Sequence, residues 1–377
     1  MNPISRLARI TFSLLLALLL GGCSTVNYYQ QLAVGQYELL QARQPVSQLL
    51  ADPNTPVPLQ QRLMLAQTAR TFASEHLLLP DNRSYRSYAD LQRPYVVWNL
   101  FATDELSLAA QLSCFPIAGC VAYRGYYQEA DAKAAAALLQ QQGIDTYVAG
   151  VEAYSTLGWF DDPLLSSMLH WDDQRLAALI FHELAHQRLY VADDTPFNES
   201  FASFVEQQGL RQWLASRGEA EIDGLGRQQR EQFIALVLGS RERLSVLYAS
   251  DLSAAALRAG KQAEFARLRA DYQQLREHEW GGQGRYDGWI NTPLNNAKLL
   301  PFGLYEQWLP AFAALFKQCA GDWSCFYQRA EQLAVLPPPE RNAALLALQT
   351  QTLVSVRGFS PRHRAAVETV DLVRRPL

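Results

Sequence analysis

The segment His182-Glu183-Leu184-Ala185-His186 constrains this chain more than any other stretch. Two imidazoles four residues apart lie one turn apart on one face of an α-helix, whereas on a strand they would stand about 13 Å apart, so the segment has to be helical for the pair to act together. On that face both rings can hold one zinc ion through a ring nitrogen. Glu183, about 100° round the helix, can take a proton from a water held there. With 6 histidines in 377 residues, chance gives this pattern in roughly one such sequence in two hundred. Leu176, Leu179 and Ile180 precede it as buried flanks, which places it on a core helix where stray charge is costly. Asp172 and Asp173 stand where a cap and an acidic first turn belong, so the spacing predicts a helix over 175–191.

A catalytic zinc needs a third protein ligand and an open fourth position. The stretch Phe197-Asn198-Glu199-Ser200-Phe201-Ala202-Ser203-Phe204-Val205-Glu206 reads as a second helix, over 196–209, with Gly209 as its stop. Phe197, Phe201 and Phe204 form its buried stripe. The short connection from Ala192 to Pro196 folds this helix back on the first, so Glu199 at its start can face the histidine pair. Glu206, two turns further on, is the competing carboxylate. Glu199 is preferred because it lies nearer the connecting turn.

The rest of the chain reads as helix-rich. Helical patterns cover 26–43, Leu59 to His76, 128–142 (stopped by Gly143) and two long stretches within 226–280, split near Ser250-Asp251, that pair as a hairpin subdomain. Tyr95–Phe101 and Thr146–Val151 read as strands. Prolines at 293, 301 and 337–339 separate shorter C-terminal helices. The expected fold is therefore α+β and predominantly α-helical, a zincin-like core with a small sheet plus the long hairpin. Hydrophobic residues at 49% allow a large core. A net charge of −4, from 33 basic and 37 acidic side chains without runs of either sign, excludes a nucleic-acid surface.

Residues 1–22 read as a lipoprotein signal peptide, and 23–377 as a single domain. Arg6 and Arg9 precede an apolar run, Ile10 to Leu20, too short to span a membrane well, which leads into Leu20-Gly21-Gly22-Cys23. Cys23 is then the lipidated first residue of the mature chain, which makes the membrane a partner through the lipid anchor. Ser24 favours the outer membrane, periplasm-facing. Export favours disulfides, and the close pairs Cys114 with Cys120 and Cys319 with Cys325 suit two local bridges better than a four-thiolate metal site.

His182-Glu183-Leu184-Ala185-His186 followed by Phe197-Asn198-Glu199-Ser200-Phe201-Ala202 resembles the glutamate-zincins. The lipobox, Ala153 to Pro163, the two helices and Leu294-Asn295-Asn296-Ala297 together resemble the bacterial putative aminopeptidase family, over most of the chain. The resemblance implies one Zn²⁺ on His182, His186 and Glu199, with Glu183 as general base in peptide hydrolysis and aminopeptidase action. Ser203 stands where the wider group often has an aspartate that orients a histidine ligand, so that task falls to Asn198, Asp193 or Asp194. Val151 to Phe160 is a candidate edge strand for an extended peptide substrate, with Gly158 allowing close approach. Glu152 is a candidate partner for a substrate α-amine, against the plainer reading of a surface glutamate. Tyr154, Tyr286, Tyr305 and His278 are open candidates for the oxyanion donor, whereas His76, His170 and His363 read as structural. The readings set against a peptidase are a non-catalytic envelope lipoprotein with a structural metal site, and a zinc amidase acting on cell-wall peptide.

Overall fold

The computed structural model describes residues 26–115, 119–153, 155–220, 224–302 and 307–357, in two compact units that part between Leu309 and Pro310. The signal segment and Cys23 lie outside the described residues, as do Tyr154, Tyr305 and His363. The first unit begins with helix α1 (26–41), strand β1 (Arg43–Pro45), helices α2 (Val46–Ala51) and α3 (Val57–Glu75), and strand β2 (Ser87–Ala89). Strands β3 (Val97–Asp104), β4 (Ser113–Phe115), β5 (Gly119–Val121) and β6 (Arg124–Tyr126) lead to helix α4 (Glu129–Gln140) and strands β7 (Ile144–Val151) and β8 (Leu164–Leu165). Helices α5 (Asp173–Arg188), α6 (Thr195–Arg217), α7 (Gly224–Tyr248), α8 (Ala254–His278), α9 (Asp287–Ile290) and α10 (Asn296–Leu299) follow. This is an α+β fold dominated by helices, as the sequence patterns predict.

Strands β6, β3 and β7 form an antiparallel sheet in that order, with Val97 opposite Val151 and Asp104 opposite Ile144. Alternation along β3 divides its side chains between two faces. Trp98 and Leu100 pack with Tyr28 of α1, Tyr126 of β6 and Ala132 and Ala136 of α4. Phe101 faces the other way, onto Ala297 and Leu300 at α10, with Tyr123 and Tyr147 packed beside it. The pair Asn295-Asn296 fastens α10 to β7. Asn295 donates to the Thr146 carbonyl at 2.9 Å, and the Asn296 N–H donates to Asp145 at 2.8 Å. The buried Lys261 of α8 donates to the same Asp145 carboxylate at 2.6 Å, which ties the α7–α8 hairpin to this strand. The hairpin has its own core of Phe233, Val237, Leu244, Phe265, Leu268 and Tyr272.

A second sheet runs β1-β2-β8, with β2 and β8 parallel. The third is the β4–β5 hairpin, in which Cys114 and Cys120 are directly opposite and disulfide-bonded. In the second unit, helices α11 (Leu309–Gln318), α12 (Trp323–Ala334) and α13 (Pro338–Arg357) carry the other bridge, Cys319–Cys325. Phe316 packs on Trp323 and Phe326, and Asp322 caps α12 by accepting from the Cys325 N–H. Both local bridges expected from the spacing are present. Among the described residues no helix is long and apolar enough to cross a membrane.

Helix α6 departs from its expected length. It runs through Gly209 and ends at Gly218, whose φ of 66° gives the left-handed cap. Gly209 is used for contact instead: a Cβ there would lie 2.6 Å from Leu77 Cδ1 and 3.2 Å from Phe181 Cδ2. Phe181 is the residue before His182, so this glycine lets α6 approach α5 at the motif. In an open helix a side chain in place of glycine would gain up to about 1 kcal/mol. Here Gly209→Val should instead lower unfolding stability by roughly 1–3 kcal/mol through overpacking. Chemical denaturation of the purified variant checks this, and unchanged or raised stability would refute the packing role.

Candidate active site

Helices α5 and α6 place the site. Asp172 caps α5 through the Arg175 N–H at 2.8 Å, and α5 ends at Arg188, just after His186. The chain reverses over 189–194 with Asp193 at φ 65°, a left-handed conformation that aspartate tolerates better than most residues. Asp194 caps α6 by accepting from the Phe197 N–H at 3.1 Å. Asn198 then clamps the turn. Its side chain accepts from the Val191 N–H and donates to the Val191 carbonyl, both at 2.7 Å. Phe197 and Phe201 are fully buried and seat the helix, at about 1.5–3 kcal/mol each.

This geometry brings His182, His186 and Glu199 together, with one donor atom from each lying within 4.8 Å of the others. The Nε2 atoms of His182 and His186 are 3.1 Å apart, and Glu199 Oε2 lies 3.4 Å from the first and 3.7 Å from the second. A tetrahedral zinc with ligands at about 2.0–2.1 Å sets its donors about 3.3 Å apart, so this triangle fits such an ion. Three lone-pair atoms facing one point also require positive charge between them. Burial works against a charged His182, but hydrogen bonds to Glu199 and Glu206 outweigh it and hold its pKa well above the ordinary range. Burial pushes the Glu199 carboxyl up, and the two histidines overcome that and hold it well below the usual carboxylate range.

Glu183 is buried beside the triangle, 8% exposed. Burial raises its pKa, His182 and His186 oppose the rise, and Glu199 and Glu206 add to it. The carboxylate is thus more basic than a solvated one, as a proton acceptor working near neutral pH should be.

Glu206 has a role that neither side of the third-ligand choice anticipates. The His182 Nδ1–H donates to Glu206 Oε2 at 2.9 Å, which turns the Nε2 lone pair towards Glu199 and His186. The orienting carboxylate is therefore seven residues beyond Glu199, two turns along the same face. Asn198 and Asp194 hydrogen-bond within the turn, and Asp193 accepts from the Cys120 N–H. His186 Nδ1 is buried without a hydrogen-bond partner among the described residues.

The remaining sequence candidates fall elsewhere. Glu152 sits at the N-terminal end of α5, paired with Arg175 at 3.0 Å and with His170 at 3.4 Å. Seven residues separate Arg175 from His182, roughly 10 Å along the axis, so Glu152 belongs to a surface ion cluster. The strand expected over 151–160 ends at Val151. Beyond it a tight loop closes where Asp162 accepts from the Thr156 N–H at 2.9 Å and its hydroxyl at 2.7 Å. Gly158, at φ 81°, faces Gln187 in that loop. Tyr286 stacks on Phe233 in the hairpin core, with ring centroids 3.9 Å apart, and His278 is exposed at the end of α8, so neither is an oxyanion donor.

Two tyrosines not singled out in the sequence flank the cluster. Tyr190 has its ring 6.5 Å from that of His186. Tyr123, between β5 and β6, feels the charges of Glu199 and Glu183; both add to the effect of burial in raising its pKa, so its phenol stays protonated. As one of 17 tyrosines, three residues past a cysteine, it carries no local pattern that marks it.

Paired helices beside a small antiparallel sheet, with a His-His-Glu group able to hold a metal ion next to a buried carboxylate, define an α+β protein of the HExxH type. The chain belongs to the putative aminopeptidase family: the family model described as "Putative aminopeptidase" matches residues 27–345. No curated protein and no solved structure matches the chain.

Asp162 gives the site's surroundings a pH signature. Burial pushes its carboxyl up to about 6, opposed by the Thr156 hydrogen bonds and reinforced by the charge of Glu183. The unfolded value is about 3.9, so the native state binds this proton more tightly, and the contribution is complete below about pH 4 and lost as pH rises through about 6. Asp162→Asn cannot ionise. From pH 4 to pH 7 the stability difference should therefore shift in the variant's favour by about 2–3 kcal/mol. Urea unfolding of both proteins at the two pH values tests this, and a constant difference would contradict it.

Proposed function

We propose that this chain is a zinc-dependent peptidase, an aminopeptidase by family, held at the cell envelope by a lipid on Cys23. The observation that carries the reading is the convergence of His182 Nε2, His186 Nε2 and Glu199 Oε2 beside the buried Glu183 carboxylate. Zinc, when bound by these three residues, supplies Lewis acidity that lowers the pKa of water towards about 7 and polarises the scissile carbonyl. Glu183 takes the proton of the attacking water and passes it to the departing amine. Glu206 keeps a proton on His182 Nδ1, which fixes the tautomer in which Nε2 is a ligand.

Each residue's task has its own signature. Glu183→Gln should keep about one zinc per chain and lose at least about 10²–10⁴-fold in kcat. His182→Ala, His186→Ala and Glu199→Ala should lose zinc and activity together. Glu206→Ala should weaken zinc binding by about 10–100-fold, since it frees a ligand's orientation without removing a ligand. Zinc titration and peptide hydrolysis, measured on the same preparations, check the set. Full activity in a zinc-loaded Glu183→Gln protein would sink the mechanism.

The anchor stands on Arg6, Arg9, the apolar run and Leu20-Gly21-Gly22-Cys23. Ser24 directs the protein to the outer membrane in a cell that has one. Cys23→Ser should abolish incorporation of a fatty-acid analogue and leave the signal uncleaved; equal labelling of variant and wild type would exclude the anchor.

A further inference from the structure

Helix α1 has one face committed to the protein and one face exposed. Tyr28 and Leu39 are buried, and Tyr28 and Leu32 pack on the β6-β3-β7 sheet beside Trp98, Leu100 and Tyr126. Gly35 lies on the same side, where a Cβ would fall 2.1 Å from Tyr127 Cγ. Gln31 fixes the helix further, donating to the Gly125 carbonyl at 3.3 Å and accepting from the Tyr127 N–H at 3.0 Å. The opposite face carries Val26, Tyr29, Val34 and Tyr37, which are 63%, 44%, 47% and 63% exposed. Single exposed apolar side chains are ordinary on a protein surface, but a contiguous set on one helix face marks a contact surface. At about 100° per residue, Tyr37 points away from Gly35, with Val26 and Gln30 within about 20° of it. Glu38 is the only charged side chain of α1, and it stands about 100° from Tyr37, at the edge of this face. A helix face turned to water normally carries charge.

We propose that α1 lies flat on the membrane surface, with Val26, Tyr29, Val34 and Tyr37 in the lipid headgroup layer. The inference rests on the Cys23 anchor reading above. Val26 follows Cys23 by three residues, and three residues of chain reach at most about 11 Å. With the acyl chains of Cys23 in a bilayer, α1 therefore starts within or against the headgroup layer, about 5–8 Å deep. Tyrosine suits that layer, where its ring meets apolar surroundings and its hydroxyl meets water. The helix is about 24 Å long, and its inner face is held by the sheet, so it rests along the surface instead of entering the bilayer. No cation stands on the outer face, so the contact is apolar and has no need of anionic lipid. The domain is then seated by a helix face as well as tethered by its lipid. Trp98 and Leu100 face α1 and Phe101 faces α10, which puts the sheet between the bilayer and α10.

Two cysteine pairs are bridged and Cys23 carries the lipid, so an added cysteine takes a thiol-reactive fluorophore selectively. Val34→Cys and Tyr37→Cys, each in the full lipidated chain, are labelled and reconstituted in phosphatidylcholine vesicles. Lipids spin-labelled near the headgroup should quench both labels and leave a label at Val246→Cys, exposed on α7, unchanged. Anionic lipid, or salt at about 1 M, should not alter the quenching. Val26→Gln/Tyr29→Gln/Tyr37→Gln changes only exposed side chains; combined with Val34→Cys it should abolish the quenching while the chain stays on the vesicles. Vesicle-bound protein whose labels at 34 and 37 are quenched no more than the one at 246 would overturn the proposal. Labels shielded from water but not quenched by lipid would also overturn it, since a second copy or another protein would then cover the face. A chain that carries no fatty acid and stays in solution would overturn the anchor reading itself, and this inference with it.

Discussion

The two hydrogen bonds between Asn198 and the backbone of Val191 set the geometry on which the rest of the site depends. Helix α5 can present His182 and His186 on its own, because their spacing alone aligns them. Glu199 belongs to a different helix, and its distance from the pair depends on how six residues reverse the chain. Asn198 binds both backbone groups of one residue in that reversal and is itself the residue before Glu199. The clamp and Glu199 are therefore adjacent on α6, and any slack in the turn would pass straight to the carboxylate. Each hydrogen bond is worth about 1 kcal/mol. Their greater consequence is positional, since errors of about 1 Å at a reacting centre cost orders of magnitude in rate. Gly209 does the same job further along, letting α6 lie close to α5 behind the motif.

Charge explains why this arrangement suits a cation. Glu183, Glu199 and Glu206 all interact with the histidine pair, three carboxylates against two imidazoles. With both imidazoles neutral the group carries three negative charges, and a divalent ion would leave one. A proton on His182 leaves two. Burial raises the cost of either imbalance, so the cluster favours the larger positive charge. The two outer groups sit differently: Glu206 accepts from Nδ1 of His182, on the side of the ring away from Glu199, and Glu183 lies outside the His182–His186–Glu199 group with a raised pKa.

Much of this was legible in the sequence, and the parts that were not share a cause. The spacing His182-x-x-x-His186 identifies a helix face by itself, and the stripe of Phe197, Phe201 and Phe204 identifies a second helix that folds back. Helical spacing marks α3, the alanine run marks α4 by propensity, and β-branched and aromatic residues mark β3. Glu206 was visible as a carboxylate on the right face, but its task depends on which nitrogen of His182 it meets, and that is a tertiary distance. Gly209 reads as a stop in the sequence because glycine suits a left-handed helix cap, whereas the approach of Leu77 and Phe181 decides its role. Tyr123 was out of reach. It stands between β5 and β6, more than fifty residues before the motif, and the contact of Gly119 and Cys120 with Asp193 is a tertiary one that ties this part of the chain to the turn before α6.

The network around Asn295 and Asn296 limits where an extended peptide can lie. A peptide added to β7 has to use the backbone groups that face away from β3. Since the Thr146 carbonyl is one of these, alternation makes Val148 and Gly150 the next. Asn295 already occupies the Thr146 carbonyl, while Asp145 is bound by Lys261 and the Asn296 N–H, so this end of the edge is closed by α10 and the hairpin. At the other end the strand stops at Val151, and Glu152 is held by Arg175. A ladder of backbone hydrogen bonds on β7 is thereby confined to the short stretch from Val148 to Val151. A peptide that reached further would leave the strand and meet the loop closed by Thr156 and Asp162.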